Sequence, residues 1–221
     1  MCDNTIETIE YNGYTIRIKL DEFPSDPRED SNLGTMCFDH KRYSMPWEFD
    51  GVDQANPVYY ENGSKWEPKR CQSWADVRRA IRQAVQEAGD DIALALPVFM
   101  LDHSGTVYGV PDPITDYGRL DPFRHYYMGM DSGQVGYIFI TRSKVQEEYG
   151  WKKLTPARLD KLHDYLKTEV EIYSQYVNGD IYGYVIEDQD GEEVDSCWGF
   201  YGVSAAIEAG KEACPKEPAG V

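Results

Sequence analysis

None of the common motifs for catalysis or nucleotide binding occurs in the 221 residues of this chain. The sequence has no Walker A loop, no GxGxxG fingerprint, no HExxH, no GxSxG and no EF-hand loop. Those patterns place phosphates, zinc, a nucleophilic serine or calcium. The enzyme classes that depend on them are therefore excluded, and any active site has to be sought among less specific residues.

Cysteine is sparse and widely spaced. The five cysteines include no CxxC pair, so the sequence does not support a structural zinc site. The first residues, Met1–Glu10, are polar and acidic, and no apolar run approaches the length of a membrane span. We therefore expect free thiols in a reducing cytoplasm, no membrane association, and no metal or cofactor.

Basic residues are also few, because 22 lysines and arginines stand against 39 aspartates and glutamates, giving a net charge of -17. Such a charge repels nucleic acid and anionic membranes and favours a basic partner. The charge is concentrated at the two ends of the chain. Residues 1–62 hold 13 acids against 5 bases, residues 180–221 hold 10 against 2, and the stretch between them holds 16 against 15.

Hydrophobic periodicity predicts an α+β fold, an antiparallel or mixed β-sheet with two main helices packed on it. Alternating apolar residues indicate a strand over Tyr14–Leu20, with Thr5–Tyr11 as its hairpin partner across the turn signal Asn12-Gly13. Further strands of the same sheet are predicted at Leu94–Leu101, Gln134–Thr141, Asp180–Asp188 and Glu193–Tyr201, and shorter ones at Gly34–Asp39 and Thr106–Val110. The main helices are predicted at Ser73–Ala88 and Thr155–Val177, and shorter helices at Ser143–Tyr149 and Val203–Ala213.

Two long segments lack periodicity and are predicted to be irregular loops, residues 41–70 and 111–131. Pro97 lies inside a predicted strand, where proline indicates a bulge or an edge. Residues 214–221 are expected to be a frayed tail. The whole chain, residues 1–221, is expected to form a single domain.

Two Asp-His pairs are candidates for chemistry. Asp39 and His40, like Asp102 and His103, follow predicted strands, and aspartate with histidine can ligate a divalent metal or serve as acid and base. If the two strands are neighbours, the four groups would converge. If they are not, each histidine lies in a turn that its aspartate bonds locally. We expect the second arrangement and no metal site.

Cys197 is a candidate nucleophile if the fold brings a histidine to it, and His103 is the best candidate for that histidine. The alternative, which we favour, is that Cys197 faces inward on its strand as a small apolar residue.

The candidate partner-binding residues are acids of the two chain ends and two aromatic residues of the long loops. If Tyr14–Leu20 lies beside Asp180–Asp188 in the sheet, we expect the acids near both strands to lie close together, at a cost in repulsion that a basic partner would relieve. These acids are Asp21, Glu22, Asp26, Glu29, Asp30, Glu187, Asp188, Asp190, Glu192 and Glu193. Trp47 and Tyr126 are the loop aromatics, of a type that often anchors protein interfaces.

Several segments resemble an uncharacterised family of small acidic proteins encoded by phages and mobile elements. The segments are YTIRIKLDEFPSDPREDSNLGTM from Tyr14, LPVFMLDHSG from Leu96, MDSGQVGYIFIT from Met130, NGDIYGYVIED from Asn178 and DSCWGFYG from Asp195. The resemblance covers most of the chain outside the two long loops and supplies no catalytic residues. It implies a gene carried by a virus or plasmid and used in a bacterial cytoplasm.

These observations together lead to the expectation of a non-enzymatic interaction protein. It would inhibit a bacterial defence protein, in the manner of an anti-CRISPR or anti-restriction protein, by covering a basic nucleic-acid channel with its acidic, tyrosine-rich surface. The alternative is a small hydrolase or nuclease, with or without a metal, that uses Asp39, His40, Asp102 and His103. A third interpretation is a phage accessory protein of no fixed partner.

Overall fold

The computed structural model of the protein describes residues 4–29, 32–38, 58–59, 69–70, 91–102, 106–110 and 132–216. Contacts divide the chain into two compact units. The first unit consists of Met1–Asp30 and Ile172–Val221, and the second unit of Ser31–Glu171. The first unit is therefore built from two distant parts of the chain. The expectation of a single domain over residues 1–221 stays a prediction.

Strands and helices both occur in the described residues, which confirms the predicted α+β class. The strands are β1 (Thr5–Tyr11), β2 (Tyr14–Leu20), β3 (Thr35–Phe38), β4 (Val58–Tyr59), β5 (Lys69–Arg70), β6 (Ile92–Asp102), β7 (Thr106–Gly109), β8 (Ser132–Thr141), β9 (Ile181–Glu187) and β10 (Glu193–Tyr201). The helices are α1 (Arg142–Tyr149), α2 (Pro156–Asn178) and α3 (Val203–Ala213). Within this part of the chain, no helix combines the length and the apolar character needed to cross a membrane.

The first unit contains a four-stranded antiparallel sheet in the order β1-β2-β9-β10. Its outer pairs are hairpins, β1 with β2 as predicted and β9 with β10. Asn12 and Gly13 turn the chain between β1 and β2 with φ angles of 52° and 81°, and a two-residue type I′ turn requires such positive values. Pairing of β2 with β9 joins the hairpins, with Ile16 opposite Ile186. The condition that these two strands are neighbours, on which the expected acidic surface depends, is therefore met.

One face of this sheet is apolar and packs against α3. Tyr14, Ile16 and Ile18 alternate along β2 and are buried, as the period of a half-buried strand requires. Helix α3 approaches closely because residue 210 is glycine. A Cβ there would lie 2.9 Å from Cγ2 of Ile16 and 3.2 Å from Cβ of Tyr184, so a larger residue would push the helix away from the sheet.

The second unit contains another four-stranded antiparallel sheet, in the order β3-β8-β6-β7. Pro97 lies in β6 opposite Tyr137 of β8, and the register of that pair shifts between Val98 and Phe99. Strand β7 pairs with β6 from Phe99 onward. The proline therefore lies beside a bulge, as predicted, and before the stretch that β7 covers.

Helix α2 packs its apolar stripe in the second unit. Leu162, Leu166 and Val170 are fully buried at a spacing of four residues. A Cβ at Gly34, just before β3, would lie 2.6 Å from Cδ2 of Leu166 and 2.7 Å from Cδ1 of Ile138. Because Gly34 has no side chain, helix α2 and strand β8 can come together beside it.

Glu169 of α2 fixes the segment that leads into β3. Its carboxylate accepts hydrogen bonds from the backbone N–H of Leu33 at 2.7 Å and of Gly34 at 3.1 Å. On the same segment, Nζ of Lys144 in α1 donates to the carbonyl of Asn32 at 2.5 Å. Two helices therefore position the start of β3.

Replacing Glu169 by alanine is expected to lower the free energy of unfolding of the second unit by about 2 kcal/mol, because two backbone N–H groups lose their acceptor. Urea unfolding measures the change. Glu171→Ala is the matched control, since Glu171 is exposed and lies 4.0 Å from Lys167, and it should change stability by less than about 0.5 kcal/mol. Equal losses in the two variants would contradict the role of Glu169.

The structure differs from the sequence analysis in how the strands are grouped. The apolar pattern predicts one sheet for the main strands, whereas the structure divides them between two sheets. Strands of both sheets have similar apolar patterns, and pattern does not determine which distant strand is the partner. The segment 41–70, predicted to be irregular, contains β4 and β5, which pair with each other. Strands of two residues are too short to show periodicity.

The structure also differs from the predictions at the start of helix α1 and in the tail. The cap of α1 is Thr141, whose side chain accepts from the backbone N–H of Lys144, and not Ser143. Thr141 ends β8 and so has the extended backbone that a cap needs. In the tail, Cys214 is buried and the carbonyl of Pro215 accepts from the side chain of Asn12, so fraying from residue 214 is wrong. The helix Ser73–Ala88 lies outside the described residues.

Candidate acidic interaction surface

The negative charge of the chain is concentrated in the first unit. Its two segments hold 18 acids and 5 bases, a net charge of -13, whereas the second unit holds 21 acids and 17 bases, a net charge of -4. The first unit is the smaller of the two. Its surface charge density is therefore much higher, and it is the candidate functional surface.

The predicted partner-binding acids form two groups within the first unit. We call Asp21, Glu22, Asp26 and Glu29 the loop cluster, and Glu187, Asp188, Asp190, Glu192 and Glu193 the hairpin cluster. Strands β2 and β9 are antiparallel, with Thr15 opposite Glu187 and Leu20 opposite Tyr182. The chain thus enters the loop cluster at the end of the sheet where β9 begins, and the hairpin cluster lies where β9 ends.

The expectation that the two groups of acids lie close together is therefore wrong. The backbone N–H of Asp21 donates to the carbonyl of Ile181, at the first residue of β9, at 2.8 Å. Glu187 is six residues further along that strand, which corresponds to roughly 20 Å at about 3.4 Å per residue. The first unit presents two separate acidic surfaces and no single merged one.

The hairpin cluster is ordered by its own backbone. Oδ1 of Asp188 accepts hydrogen bonds from the N–H of Asp190 at 2.9 Å and of Glu192 at 3.0 Å. Gly191 supplies the positive φ of 83° in this turn. Asp190 and Glu192 are exposed on it, so their carboxylates are presented to solvent on a fixed backbone.

Two other acids of the hairpin cluster have defined partners. Glu187 forms an ion pair with Nε of Arg17 across the sheet at 2.8 Å, and Oε1 of Glu193 accepts from the hydroxyl of Ser196 at 2.7 Å. The ion pair is partly exposed, so its contribution to stability is small. These contacts orient Glu187 and Glu193, and they leave Asp190 and Glu192 as the carboxylates best placed for a partner.

Side chain to backbone hydrogen bonds also order the loop cluster. Asp21 Oδ1 accepts from the N–H of Phe23 at 3.0 Å, and Asp26 Oδ1 accepts from the N–H of Arg28 at 2.8 Å. Asn4 donates its side-chain N–H to Glu22. Asx turns of this kind hold the backbone of a loop in place, so the acids of this cluster are also fixed in position.

Burial and, after it, the charges of neighbouring acids raise the pKa of two tyrosines of the first unit. Burial raises the pKa of Tyr184, and the charge of Asp195, which accepts from Oη of Tyr184 at 3.2 Å, raises it further. Burial and then the charges of Asp26 and Glu29 raise the pKa of Tyr176. Acids near both ends of the sheet therefore oppose the addition of another negative charge.

These shifts predict that the first unit loses stability at alkaline pH. The unfolded chain releases its tyrosine protons near pH 10, at about the unperturbed pKa, before the folded chain does. The free energy of unfolding is therefore fully retained below that pH and falls above it. In the variant Tyr184→Phe, the free energy of unfolding measured with urea should decline less steeply between about pH 9 and 11, because about one proton fewer is released on unfolding. Tyr11→Phe in the same unit is the control, since Tyr11 is an exposed residue of β1, and an equal effect of both would contradict the assignment.

The candidate catalytic residues are not assembled into a site in the described part of the structure. Asp102 ends β6 opposite Thr106, and Asp39, His40 and His103 lie outside the described residues. Among residues that the structure describes, no group of three or more His, Cys, Asp and Glu side chains could hold a metal ion. The Asp-His hydrolase stays a prediction.

Cys197 is exposed and not buried as expected, with its thiol 3.8 Å from the carbonyl of Trp198. It is opposite the buried Tyr184 in the register of β9 and β10, so it lies on the same side of the sheet as Tyr184. Its strand β10 is the edge strand of the sheet, which leaves the side chain open to solvent. Trp198 lies over Gly183, where a Cβ would be 2.3 Å from the indole ring.

Sequence reasoning missed Phe23, an almost fully exposed aromatic residue within the loop cluster. The signal was a single aromatic residue between an acidic pair and a proline, in the segment Asp21-Glu22-Phe23-Pro24. Three predicted partner-binding residues, Asp30, Trp47 and Tyr126, lie outside the described residues.

The first unit thus offers two ordered acidic surfaces on a β-sheet scaffold. Carboxylates that face solvent from an ordered backbone suit the binding of positive charge. No protein-family model, no curated protein and no solved structure matches this chain.

Proposed function

We propose that the protein is a non-enzymatic interaction protein whose first unit binds a basic protein surface. The observation that carries this proposal is the net charge of -13 on that unit, on a scaffold that holds acids at both ends of one sheet. Close carboxylates repel one another, and a basic partner relieves that repulsion on binding.

The partner of best chemical fit is a nucleic-acid-binding protein. Such proteins carry lysine and arginine where phosphates bind, and exposed carboxylates such as Asp190 and Glu192 can occupy those positions. Covering that surface would inhibit the partner. In a bacterial host the partner would be a defence component, so that the protein acts as an anti-CRISPR or anti-restriction inhibitor, in agreement with the resemblance described above.

Salt-dependent capture from bacterial lysate tests this function. The full chain is immobilised, bound proteins are identified by mass spectrometry, and the association rate of the purified partner is measured over a salt series. Electrostatic steering changes such rates by about 10- to 1,000-fold, so we expect a steep decrease as salt rises.

The variant Asp190→Asn/Glu192→Gln should slow association by about 10-fold at low salt and leave the dissociation rate nearly unchanged. The matched control is Glu147→Gln/Asp160→Asn, which removes the same charge from exposed positions of the second unit. Association that is indifferent to salt and to both double variants would show that the acidic surface of the first unit does not bind the partner.

A further inference from the structure

Phe23 is an apolar side chain held outside the core of the first unit. It is 89% exposed, whereas Ile6, the next most exposed large apolar side chain of the described residues, is 56% exposed. A phenylalanine in water forgoes the stabilisation that burial gives. The ring therefore adds little to the core of the first unit and is accessible to a partner.

The backbone around Phe23 is ordered in the unbound protein. The N–H of Asp21 donates to the carbonyl of Ile181 at 2.8 Å, and the N–H of Phe23 donates to Oδ1 of Asp21 at 3.0 Å. Pro24 follows, and a residue before proline is restricted to extended conformations. Because the backbone that carries the ring is already restricted, less conformational entropy is lost when the ring binds.

The rest of the loop is fixed in the same way, and its charges define the partner. Pro27 is buried, and Asp26 orders the turn through the N–H of Arg28 at 2.8 Å. Phe23 is flanked along this loop by the acids of the loop cluster. A surface complementary to an aromatic ring among carboxylates is an apolar pocket with a basic border.

We infer that Phe23 is the anchor with which the first unit enters an apolar pocket bordered by lysine or arginine on its basic partner. The inference rests on the proposed function, because it specifies the contact that positions the same partner. The carboxylates accelerate association, and burial of the ring slows dissociation, which is where most differences in affinity arise.

Photo-crosslinking tests the position of the anchor. The full chain carries p-benzoylphenylalanine at position 23 or, as the matched control, at position 6, and is irradiated in bacterial lysate. Position 23 is expected to crosslink a protein that position 6 does not, at an apolar residue next to lysine or arginine. The inference is overturned if position 23 gives no product, the same products as position 6, a second copy of this chain, or a crosslink in an acidic surface.

Affinity for the crosslinked protein, purified, provides the second measurement. Phe23→Ala should weaken binding by about 30-fold, equivalent to about 2 kcal/mol, and Ile6→Ala by less than about 3-fold. The melting temperature of Phe23→Ala should equal that of the wild type, because the ring is exposed. If Asp190→Asn/Glu192→Gln and salt weaken binding but Phe23→Ala does not, the inference fails and the proposed function stands. If only Phe23→Ala weakens binding, the acidic mechanism fails and the anchor stands.

Discussion

Replacement of Leu166 by alanine is expected to destabilise the second unit by about 3 to 5 kcal/mol, since the side chain is fully buried and the space cannot collapse completely. Its Cδ2 lies 2.6 Å from the position of a Cβ on Gly34, at the meeting point of α2 and β3. Hydrogen exchange at the amides of β6 and β8 measures the loss. Lys167→Ala, the next residue on the same helix, should cost less than about 1 kcal/mol.

A double-mutant cycle gives the sharper form of this experiment. Gly34→Ala alone should destabilise by about 1 to 3 kcal/mol, because the added Cβ overlaps Leu166 and Ile138. In the Leu166→Ala background the same methyl group enters the space that the leucine left. We expect a favourable coupling of at least about 1 kcal/mol. Strict additivity would show that the two residues do not meet as described.

Replacement of Ile16 by alanine is expected to lower the stability of the first unit by about 2 to 5 kcal/mol. Ile16 is fully buried in β2, and its Cγ2 lies where α3 comes closest to the sheet. Amides of β2 and β9 should exchange faster, while those of β6 and β8 keep their protection. Thr15→Ala, on the opposite face of the same strand, is the control. Equal loss of protection in β6 and β8 would contradict independent unfolding and support one cooperative domain.

Local chemistry made the elements predictable. Asn12-Gly13 forms a two-residue turn with a positive φ at both residues, whereas in the longer turn between β9 and β10 the positive φ belongs to Gly191. Both hairpins occur where an Asn-Gly or Asp-Gly dipeptide lies. The spacing of Leu162, Leu166 and Val170 likewise fixed the buried side of α2. Val177, seven residues after Val170 on the same face of the helix, is 42% exposed, because the stripe needs a surface to pack on and periodicity alone does not supply one.

The pairing of strands that are distant in the sequence could not be predicted from the sequence. The charge hypothesis assumed that β2 and β9 are neighbours, but it did not give their relative direction, since the pattern of a strand is the same read either way. The antiparallel direction places Asp21 beside Ile181 and separates it from Glu187. The two acidic clusters could be named from the sequence, whereas their separation and the exposure of Phe23 could not.

The two-part composition of the first unit has a consequence for synthesis on the ribosome. Strand β2 ends at Leu20, yet its partner β9 ends at Glu187. At a translation rate of about 5 to 20 residues per second, the nascent β1-β2 hairpin remains without its partner strand β9 for roughly 10 to 30 s. During that delay the second unit is translated in full. Charged side chains near a strand edge oppose pairing with other chains, so the acids that follow Leu20 are expected to limit aggregation of the hairpin during this interval.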